Sequence, residues 1–393
     1  MNLPQGFRAS GVAAGLKPSG RPDVGLLVSD VPAAAVGVFT TNRVQAAPIT
    51  VTKRHVRRGA ARGIVVNAGN ANACTGSHGI KDARAMAKEA AGLLKAKEQQ
   101  ILVASTGVIG VPMDMEKTKA GVKAAAGALS TGGFDDLAAA IMTTDTHAKQ
   151  AAYRVSDWAG SCVVGGMVKG SGMIAPEMAT MLCFLATDAP ADRSVLAQAL
   201  QKATASSFNL ISVDGCRSTN DCVLFLANGA VGGDPITVEH PELHAFEAGV
   251  ADVCRSLARQ IVEDGEGATK VVAITVKGAA NPREAREAAL RIADSVLLRC
   301  ALHGADPNWG RVLAALGTTK IPFDPNVVDV WLGGEQLAAA GIAGPGDRDK
   351  ARVALMEHEV EVVVDLNRGE TATTVLTNDL SPEYIRINAE YTT

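Results

Sequence analysis

The sequence lacks the features that mark a nucleic-acid-binding protein. Aromatic residues make up only 4% of the 393 residues, and 38 basic against 41 acidic residues give a formal net charge of -3. Proteins that bind nucleic acids use basic surfaces to contact phosphates and aromatic rings to stack on bases. The composition therefore argues against a nucleic-acid partner.

Signals for membranes and disulfide bonds are also missing. No run of about 18 uncharged apolar residues is present, and the first residues lack a basic segment followed by an apolar one. Seven cysteines are scattered without a CxxC pair and lie mostly in apolar runs, which is typical of reduced thiols. We expect a soluble cytoplasmic protein, with no disulfide between Cys216 and Cys222, the one closely spaced pair.

Metal-binding patterns are absent as well. His240 and His244 are four residues apart, but the HExxH order is missing and Pro241 lies between them. His358 lies in an alternating strand pattern without a second ligand nearby. We therefore expect no metal site and no cofactor.

The elements that are present predict an α/β fold, because short runs rich in valine and isoleucine alternate with amphipathic stretches. At about 150 residues per domain, the length corresponds to two or three domains. Composition changes only mildly along the chain, so the boundaries depend on breaks near 190 and 280. The predicted units are a core domain over 1–190, an α/β middle domain over 191–280 and a C-terminal α/β domain over 281–393.

Eight strands and four helices are predicted from hydrophobic periodicity. The strands are 25–29, 35–39, 63–67, 101–105, 161–168, 180–186, 271–277 and 359–365. The helices are 81–97, 195–206, 242–262 and 282–303. The last helix has Asn281 as a capping residue, Pro282 at its first position and one apolar stripe. That stripe comprises Ala289, Ile292, Val296, Leu297 and Cys300.

A glycine-rich segment before the sixth predicted strand carries the most informative chemistry. Gly170, Gly172 and Pro176 interrupt regular structure, and an apolar run then begins at Thr180. Because Ala179 is too small to shield its carbonyl, the Thr180 hydroxyl can attack it and cut the chain. The product is a hydroxyl beside its own α-amine, whose pKa is about 8, so nucleophile and base share one residue. The pattern leaves an ordinary alternative open, since threonines often begin strands.

A turn at 105–110 suggests a weaker alternative. It follows a predicted strand as a nucleotide-binding loop does, but it lacks the first glycine of GxGxxG and no helix follows at the right place. A nucleotide-dependent oxidoreductase built on this turn would bind a cofactor and would not cut its own chain.

Segment 169–182 closely resembles the self-cleavage motif of the ornithine acetyltransferase family, arginine-biosynthesis enzymes that move an acetyl group from N-acetylornithine to glutamate. Further segments resemble family signatures in family order: FTTN at 39–42, NAGNANA at 67–73, ASTGVIG at 104–110, IMTTDT at 141–146, DGEGA at 264–268 and DPNWGR at 306–311. The resemblance extends to the C-terminus, where Thr393 stands in place of an also familiar serine. It implies a mixed-sheet layered core of the self-cleaving N-terminal-nucleophile type, with smaller α/β C-terminal domains.

The resemblance also implies roles for individual residues. Cleavage between Ala179 and Thr180 would make Thr180 the nucleophile and acetyl acceptor of a ping-pong reaction. The Thr106 hydroxyl and the Gly107 backbone N–H would stabilise the oxyanion. The implied substrate contacts are Thr146, Lys169, Thr180, Glu266, Asn388 and Thr393.

Among these contacts, Lys169 suits a substrate α-carboxylate, and Glu266 suits the ammonium of ornithine. The two chains, 1–179 and 180–393, would stay together in an α2β2 assembly. Some family members also take acetyl groups from acetyl-CoA, and the sequence does not decide whether this chain does. An N-terminal-nucleophile aminopeptidase or amidase, with water as acceptor, is the competing interpretation on a related fold.

Overall fold

The computed structural model describes residues 4–155, 161–175 and 181–390. The strands of these ranges are β1 Phe7–Val12, β2 Val24–Phe39, β3 Ala60–Asn70, β4 Ile101–Val108, β5 Lys149–Val155, β6 Cys162–Lys169, β7 Leu182–Thr187, β8 Cys222–Ala227, β9 Val271–Ala279, β10 Asp329–Leu332, β11 Glu335–Ala339, β12 Ile342–Ala343, β13 Glu359–Asp365 and β14 Thr371–Asn378. The helices are α1 Ala47–Val56, α2 Gly76–Leu93, α3 Met115–Gly127, α4 Phe134–Ile141, α5 Arg193–Ala205, α6 Leu243–Glu263, α7 Pro282–Ala293, α8 Val296–His303, α9 Trp309–Leu316, α10 Arg348–Ala354 and α11 Pro382–Glu390.

A mixed sheet organises the first part of the described chain. Its strands follow the order β4-β3-β2-β8-β7-β6-β5, with β1 paired to β2. The pairs β3/β4 and β7/β8 are parallel, and the other neighbouring pairs are antiparallel. The predicted mixed-sheet α/β fold is confirmed.

This sheet folds over so that its two halves share an apolar interior. Leu27 and Ile64, from β2 and β3, belong to the same buried cluster as Phe184 and Leu224, from β7 and β8. The opposite faces of the halves pack against α2 and α3 on one side and against α5 and α6 on the other. Because side chains alternate between the faces of a strand, a central strand such as β8 contributes to two of these layers. The folding brings the ends of distant strands together.

A second mixed sheet follows the order β12-β11-β10-β13-β9-β14, with β9 and β13 parallel. Helices α7, α8 and α9 pack against it. Sheet membership does not coincide with the boundaries predicted near 190 and 280, because β8 lies in the first sheet and β9 in the second. The division into three domains stays a prediction.

Two strands and one helix predicted from the sequence differ from the structure. The strands predicted at 25–29 and 35–39 are one strand, β2, whose pairing with β3 shifts between Val28 and Ala33, so an irregularity bends the strand without ending it. The single helix predicted at 282–303 is wrong. The observed helix α7 ends at Ala293. The Ser295 side chain then accepts a hydrogen bond from the Leu298 N–H and caps the start of α8.

The new start at Ser295 also changes which residues are buried. Val296 and Leu297, predicted to continue the apolar stripe, are 59% and 64% exposed, and Cys300 is exposed as well.

In the described ranges, no helix is both long enough and apolar enough to cross a membrane.

Candidate active site

A cavity of about 140 Å³ collects residues from the ends of strands and from two loops. Its lining includes six residues whose polar groups or backbone are suited to catalysis or substrate binding: Thr106, Gly107, Lys169, Asp214, Glu266 and Asn388. These six come from β4, β6, α11 and the connections after α5 and α6. The sequence-predicted residues Thr106, Gly107, Lys169, Glu266 and Asn388 therefore lie around one space.

Gly107 has a backbone that only glycine accepts. Its φ is +125°, and a Cβ built on it would lie 2.4 Å from the carbonyl carbon of Gly69 on β3. Gly69 and Gly107 are also directly opposite each other in the parallel pairing of β3 with β4. The two strands therefore approach closely at the point where Thr106 and Gly107 face the cavity.

Lys169 and Thr106 form a buried polar contact in the cavity wall. Lys169 Nζ donates to Thr106 Oγ1 over 3.1 Å, and the two residues are only 4% and 5% exposed. Burial lowers the pKa of Lys169, while the nearby carboxylates of Asp145, Asp221 and Glu266 act in the opposite direction. The cavity therefore holds an amine whose charge depends on its acidic neighbours.

Beneath this contact lies a buried charge cluster. Lys149 Nζ donates to Asp145 Oδ1 at 2.7 Å and to Asp264 Oδ2 at 2.5 Å, and Asp145 Oδ1 also accepts from the Gly170 N–H at 2.7 Å. Burial by itself would raise the pKa of Asp145, but the charges of Lys169 and Lys149 and the hydrogen bonds outweigh it and lower the pKa to about 2. Asp145 therefore stays ionised and fixes the backbone that follows Lys169.

Glu266 reaches the cavity from a tight loop after α6. Its N–H donates to Ser171 O at 2.9 Å, and its Oε2 accepts from Asn388 Nδ2 at 2.8 Å. A Cβ on Gly172 would lie 2.4 Å from this carboxylate, so the glycine at 172 leaves the space that Glu266 occupies. The glycine-rich segment and the C-terminal helix α11 together position one carboxylate.

Asp214 is a cavity residue that the sequence argument missed. Its carboxylate accepts hydrogen bonds from the N–H groups of Met173 and Ile174 at 2.6 and 3.0 Å, and from the Tyr384 hydroxyl at 3.3 Å. Burial raises its pKa despite these hydrogen bonds. Asp214 therefore holds the segment preceding Pro176 against α11.

The run from Ser218 to Asp221 was missed as well. Asn220 Nδ2 donates to Ala71 O at 2.6 Å and to Ser105 O at 2.8 Å, which connects the ends of β3 and β4. Asp221 Oδ1 accepts from the Met181 N–H at 3.1 Å, and complete burial raises the pKa of Asp221 well above its ordinary value. A signal was present, because this polar run stands directly before the apolar strand β8, as the glycine-rich segment stands before the apolar run of β7.

Three predicted residues lie outside the described ranges: Ala179, Thr180 and Thr393. Thr146 is described, but it is exposed and is not part of the cavity lining. Its N–H donates to Asp264 Oδ2 at 3.0 Å, and its hydroxyl also binds Asp264. Thr146 is thus connected to the cavity through the charge cluster of Lys149.

The cysteines and metal ligands offer no further site in the described ranges. All seven cysteines are unpaired, including Cys216 in the cavity lining. Burial raises the pKa of the Cys216 thiol. No group of three or more histidine, cysteine or acidic residues among the described residues is arranged to hold a metal ion.

The family model described as "ArgJ family" matches residues 8–393. The chain belongs to the ArgJ family. The match spans every described residue of the cavity, and it agrees with the family resemblance found in the sequence.

Full-length relatives carry the same family name. The "Arginine biosynthesis bifunctional protein ArgJ" of Symbiobacterium thermophilum is 48% identical over 395 residues, covering 100% of this chain and 98% of the relative. The protein of the same name from Geobacter sulfurreducens is 43% identical, with 100% of both chains covered.

A solved ArgJ structure supports the fold. The crystal structure of "Arginine biosynthesis bifunctional protein argJ" from Bacillus halodurans is 37% identical, with a TM-score of 0.51. The alignment covers 98% of that chain but 53% of this one. The solved ArgJ chain is thus about half as long as the chain described here.

Proposed function

We propose that this chain is a glutamate N-acetyltransferase of arginine biosynthesis, which takes the acetyl group from N-acetylornithine. One observation carries the proposal: a single cavity is lined by the buried Lys169–Thr106 pair, by Gly107 and by the carboxylate of Glu266. This set offers donors for an oxyanion, a cation for an α-carboxylate and an anion for a second ammonium group. Full-length relatives named for arginine biosynthesis support the pathway.

The nucleophile in this proposal is created by self-cleavage between Ala179 and Thr180. The Thr180 hydroxyl attacks the Ala179 carbonyl, the peptide becomes an ester, and water releases an α chain of residues 1–179 and a β chain of residues 180–393. The length of the solved Bacillus halodurans chain supports this step, since 98% of it aligns with 53% of this chain. We infer an α2β2 assembly.

The first half-reaction moves the acetyl group to the protein. The Thr180 hydroxyl attacks the acetyl carbonyl of N-acetylornithine while its α-amine takes the hydroxyl proton. Negative charge develops on the carbonyl oxygen, where the Thr106 hydroxyl and the Gly107 N–H donate hydrogen bonds. The C–N bond then breaks, the proton passes to the leaving nitrogen, and ornithine departs from an acetyl ester on Thr180.

The second half-reaction regenerates the nucleophile. The amine of glutamate attacks the ester, and N-acetylglutamate leaves while Thr180 recovers its proton. We assign Lys169 to the substrate α-carboxylate and Glu266 to the ornithine side-chain ammonium. Asn388, Thr146 and Thr393 complete the proposed substrate contacts.

No cofactor is needed for this chemistry, because each acetyl group enters on one substrate and leaves on another. Acetyl-CoA as an additional donor to glutamate is a further expectation, consistent with the word "bifunctional" in the names of the relatives. We propose the cytoplasm as the location, and the seven unpaired cysteines support a reducing compartment.

Rapid-quench mass spectrometry tests the acetyl ester. With N-acetylornithine and no acceptor, the β chain should gain about 42 Da, the mass of an acetyl group replacing a proton on the nucleophile. Glutamate and hydroxylamine should each remove the added mass, and the α chain should stay unchanged. Acetate as the main product in the presence of glutamate would instead favour an amidase, and an uncut chain that binds a nucleotide would favour an oxidoreductase.

A further inference from the structure

The contact between Lys169 and Thr106 is built by the folding of the sheet. The two residues lie at the ends of β6 and β4, which are separated in the sheet order by β3, β2, β8 and β7. Their polar atoms nevertheless meet at 3.1 Å, with both residues at least 95% buried. Such a contact requires the two halves of the sheet to be held in a fixed relation.

A buried carboxylate, that of Asp145, holds the backbone beside Lys169 in place. Asp145 accepts hydrogen bonds from Lys149 Nζ and from the N–H of Gly170, the residue after Lys169. Burial and the charge of Lys149 lower the pKa of Lys169, while the ionised Asp145 favours its ammonium form, in which Lys169 has three N–H donors and no acceptor. The Thr106 oxygen must therefore accept in this contact.

The direction of that hydrogen bond decides what Thr106 can do. A hydroxyl has one proton to donate and two lone pairs, and Lys169 occupies one lone pair of Thr106 Oγ1. Among the described residues, Thr106 Oγ1 has no other hydrogen-bond partner, so none of these residues accepts the hydroxyl proton. Since Thr106 lines the cavity, that proton can be donated to a ligand.

We propose that Lys169 is a positioning residue for Thr106: its ammonium holds the hydroxyl oxygen and leaves the hydroxyl proton to the oxyanion of acetyl transfer. A donor fixed before the reaction stabilises developing charge without the cost of reorganisation. The ammonium also polarises the O–H bond, because a hydrogen bond to a charged group is stronger and neighbouring hydrogen bonds reinforce one another. This inference rests on the proposed function, and it adds a role to Lys169 beyond the α-carboxylate contact.

A substrate without a carboxylate separates the two roles. p-Nitrophenyl acetate carries the same acetyl group as N-acetylornithine but has no carboxylate for Lys169 to bind, so the rate at which it acetylates the protein reports on the oxyanion donors. Thr106→Val should slow acetylation by about 100-fold or more, the effect of removing one such donor. Lys169→Met should also slow it, and the double variant should be no slower than Thr106→Val alone, because the two residues act as one unit.

Lys123→Met is the matched control, since Lys123 is exposed on α3, and it should react as the wild type does. If Lys169→Met does not fold or is not cut, Lys169→Arg takes its place. Arginine keeps the positive charge near Asp145 but moves the N–H donors, so the acetylation rate should fall. Adding Lys169→Arg to Thr106→Val should again cause no further loss of rate.

Two results would overturn the inference. A Lys169 variant with normal p-nitrophenyl acetate kinetics and impaired use of N-acetylornithine would restrict Lys169 to the carboxylate. Multiplying effects in the double variant would show that the residues act independently. The proposed function fails on a different result, a wild-type protein that transfers no acetyl group from N-acetylornithine to glutamate.

Discussion

Lys149 and Asp264 form a buried ion pair, Nζ to Oδ2 at 2.5 Å, between residues on opposite sides of the proposed cleavage point. Lys149 also pairs with Asp145, and all three side chains are at most 3% exposed. Removing one partner from such a cluster leaves an uncompensated charge in a medium of low dielectric. The cluster therefore connects the two proposed chains after the backbone is cut.

Lys149→Met should destabilise the protein by about 3 to 5 kcal/mol, because Asp145 and Asp264 lose their shared cation. Urea unfolding of the cut protein measures the change. Lys202→Met is the control, since Lys202 pairs with Glu247 at an exposed position, and its cost should stay at or below about 1 kcal/mol. Equal losses in both variants would contradict the structural role of the cluster.

Thr180→Ala should leave an uncut chain without transferase activity, since both the cleaving hydroxyl and the acetyl acceptor are lost. A denaturing gel should show one band in place of two. Thr180→Ser keeps the hydroxyl and should still cleave, more slowly, because the β-methyl group that restricts its rotamer is gone. Two bands from the alanine variant would refute self-cleavage at this residue.

Gly107→Ala should abolish activity and destabilise the fold, because the new Cβ would lie 2.4 Å from the Gly69 carbonyl carbon at a φ of +125°. Gly110→Ala is a close control. Gly110 also has a positive φ, +83°, but no atom lies within 4 Å of its Cβ position. Gly110→Ala should lower the stability of the protein by only about 1 kcal/mol, because it introduces backbone strain without crowding. Thermal melting and acetyl transfer of the two variants distinguish crowding from strain.

Glu266→Gln should impair turnover of N-acetylornithine more than that of N-acetylglutamate, because only the first substrate carries a second, cationic end. Glutamine preserves the size of the side chain and can still accept the hydrogen bond from Asn388. The ratio of the two kcat/KM values is the measurement. An equal loss for both substrates would mean that Glu266 does not bind the ornithine ammonium.

Asp145 should make the fold sensitive to acid. Its folded-state pKa of about 2 lies below the ordinary value of 3.8, so its contribution to stability is present above pH 3.8 and is lost as the pH falls toward 2. The shift corresponds to about 2 kcal/mol. Asp145→Asn should start less stable at neutral pH but lose less stability between pH 4 and 2. Parallel unfolding curves for both proteins across this window would contradict the assignment.

The sequence by itself determined the α/β class and most of the strands of the first sheet, and it predicts which segment is reactive. Periodicity finds strands such as β13, predicted at 359–365 and observed there, because alternation along a strand is a local property. Family motifs found Thr106, Lys169 and Glu266 for a similar reason, since each lies in a short run with a recognisable composition.

Only the tertiary structure decided how these residues meet. The ends of β4 and β6 come together because the sheet folds over a shared core, and no local pattern encodes a contact between residues 63 positions apart. Asp214 was missed for the same reason, because its partners Met173 and Tyr384 are distant in sequence. Hydrophobic periodicity did not predict the break between α7 and α8, because the apolar stripe continues across it while a single serine cap at 295 starts a new helix.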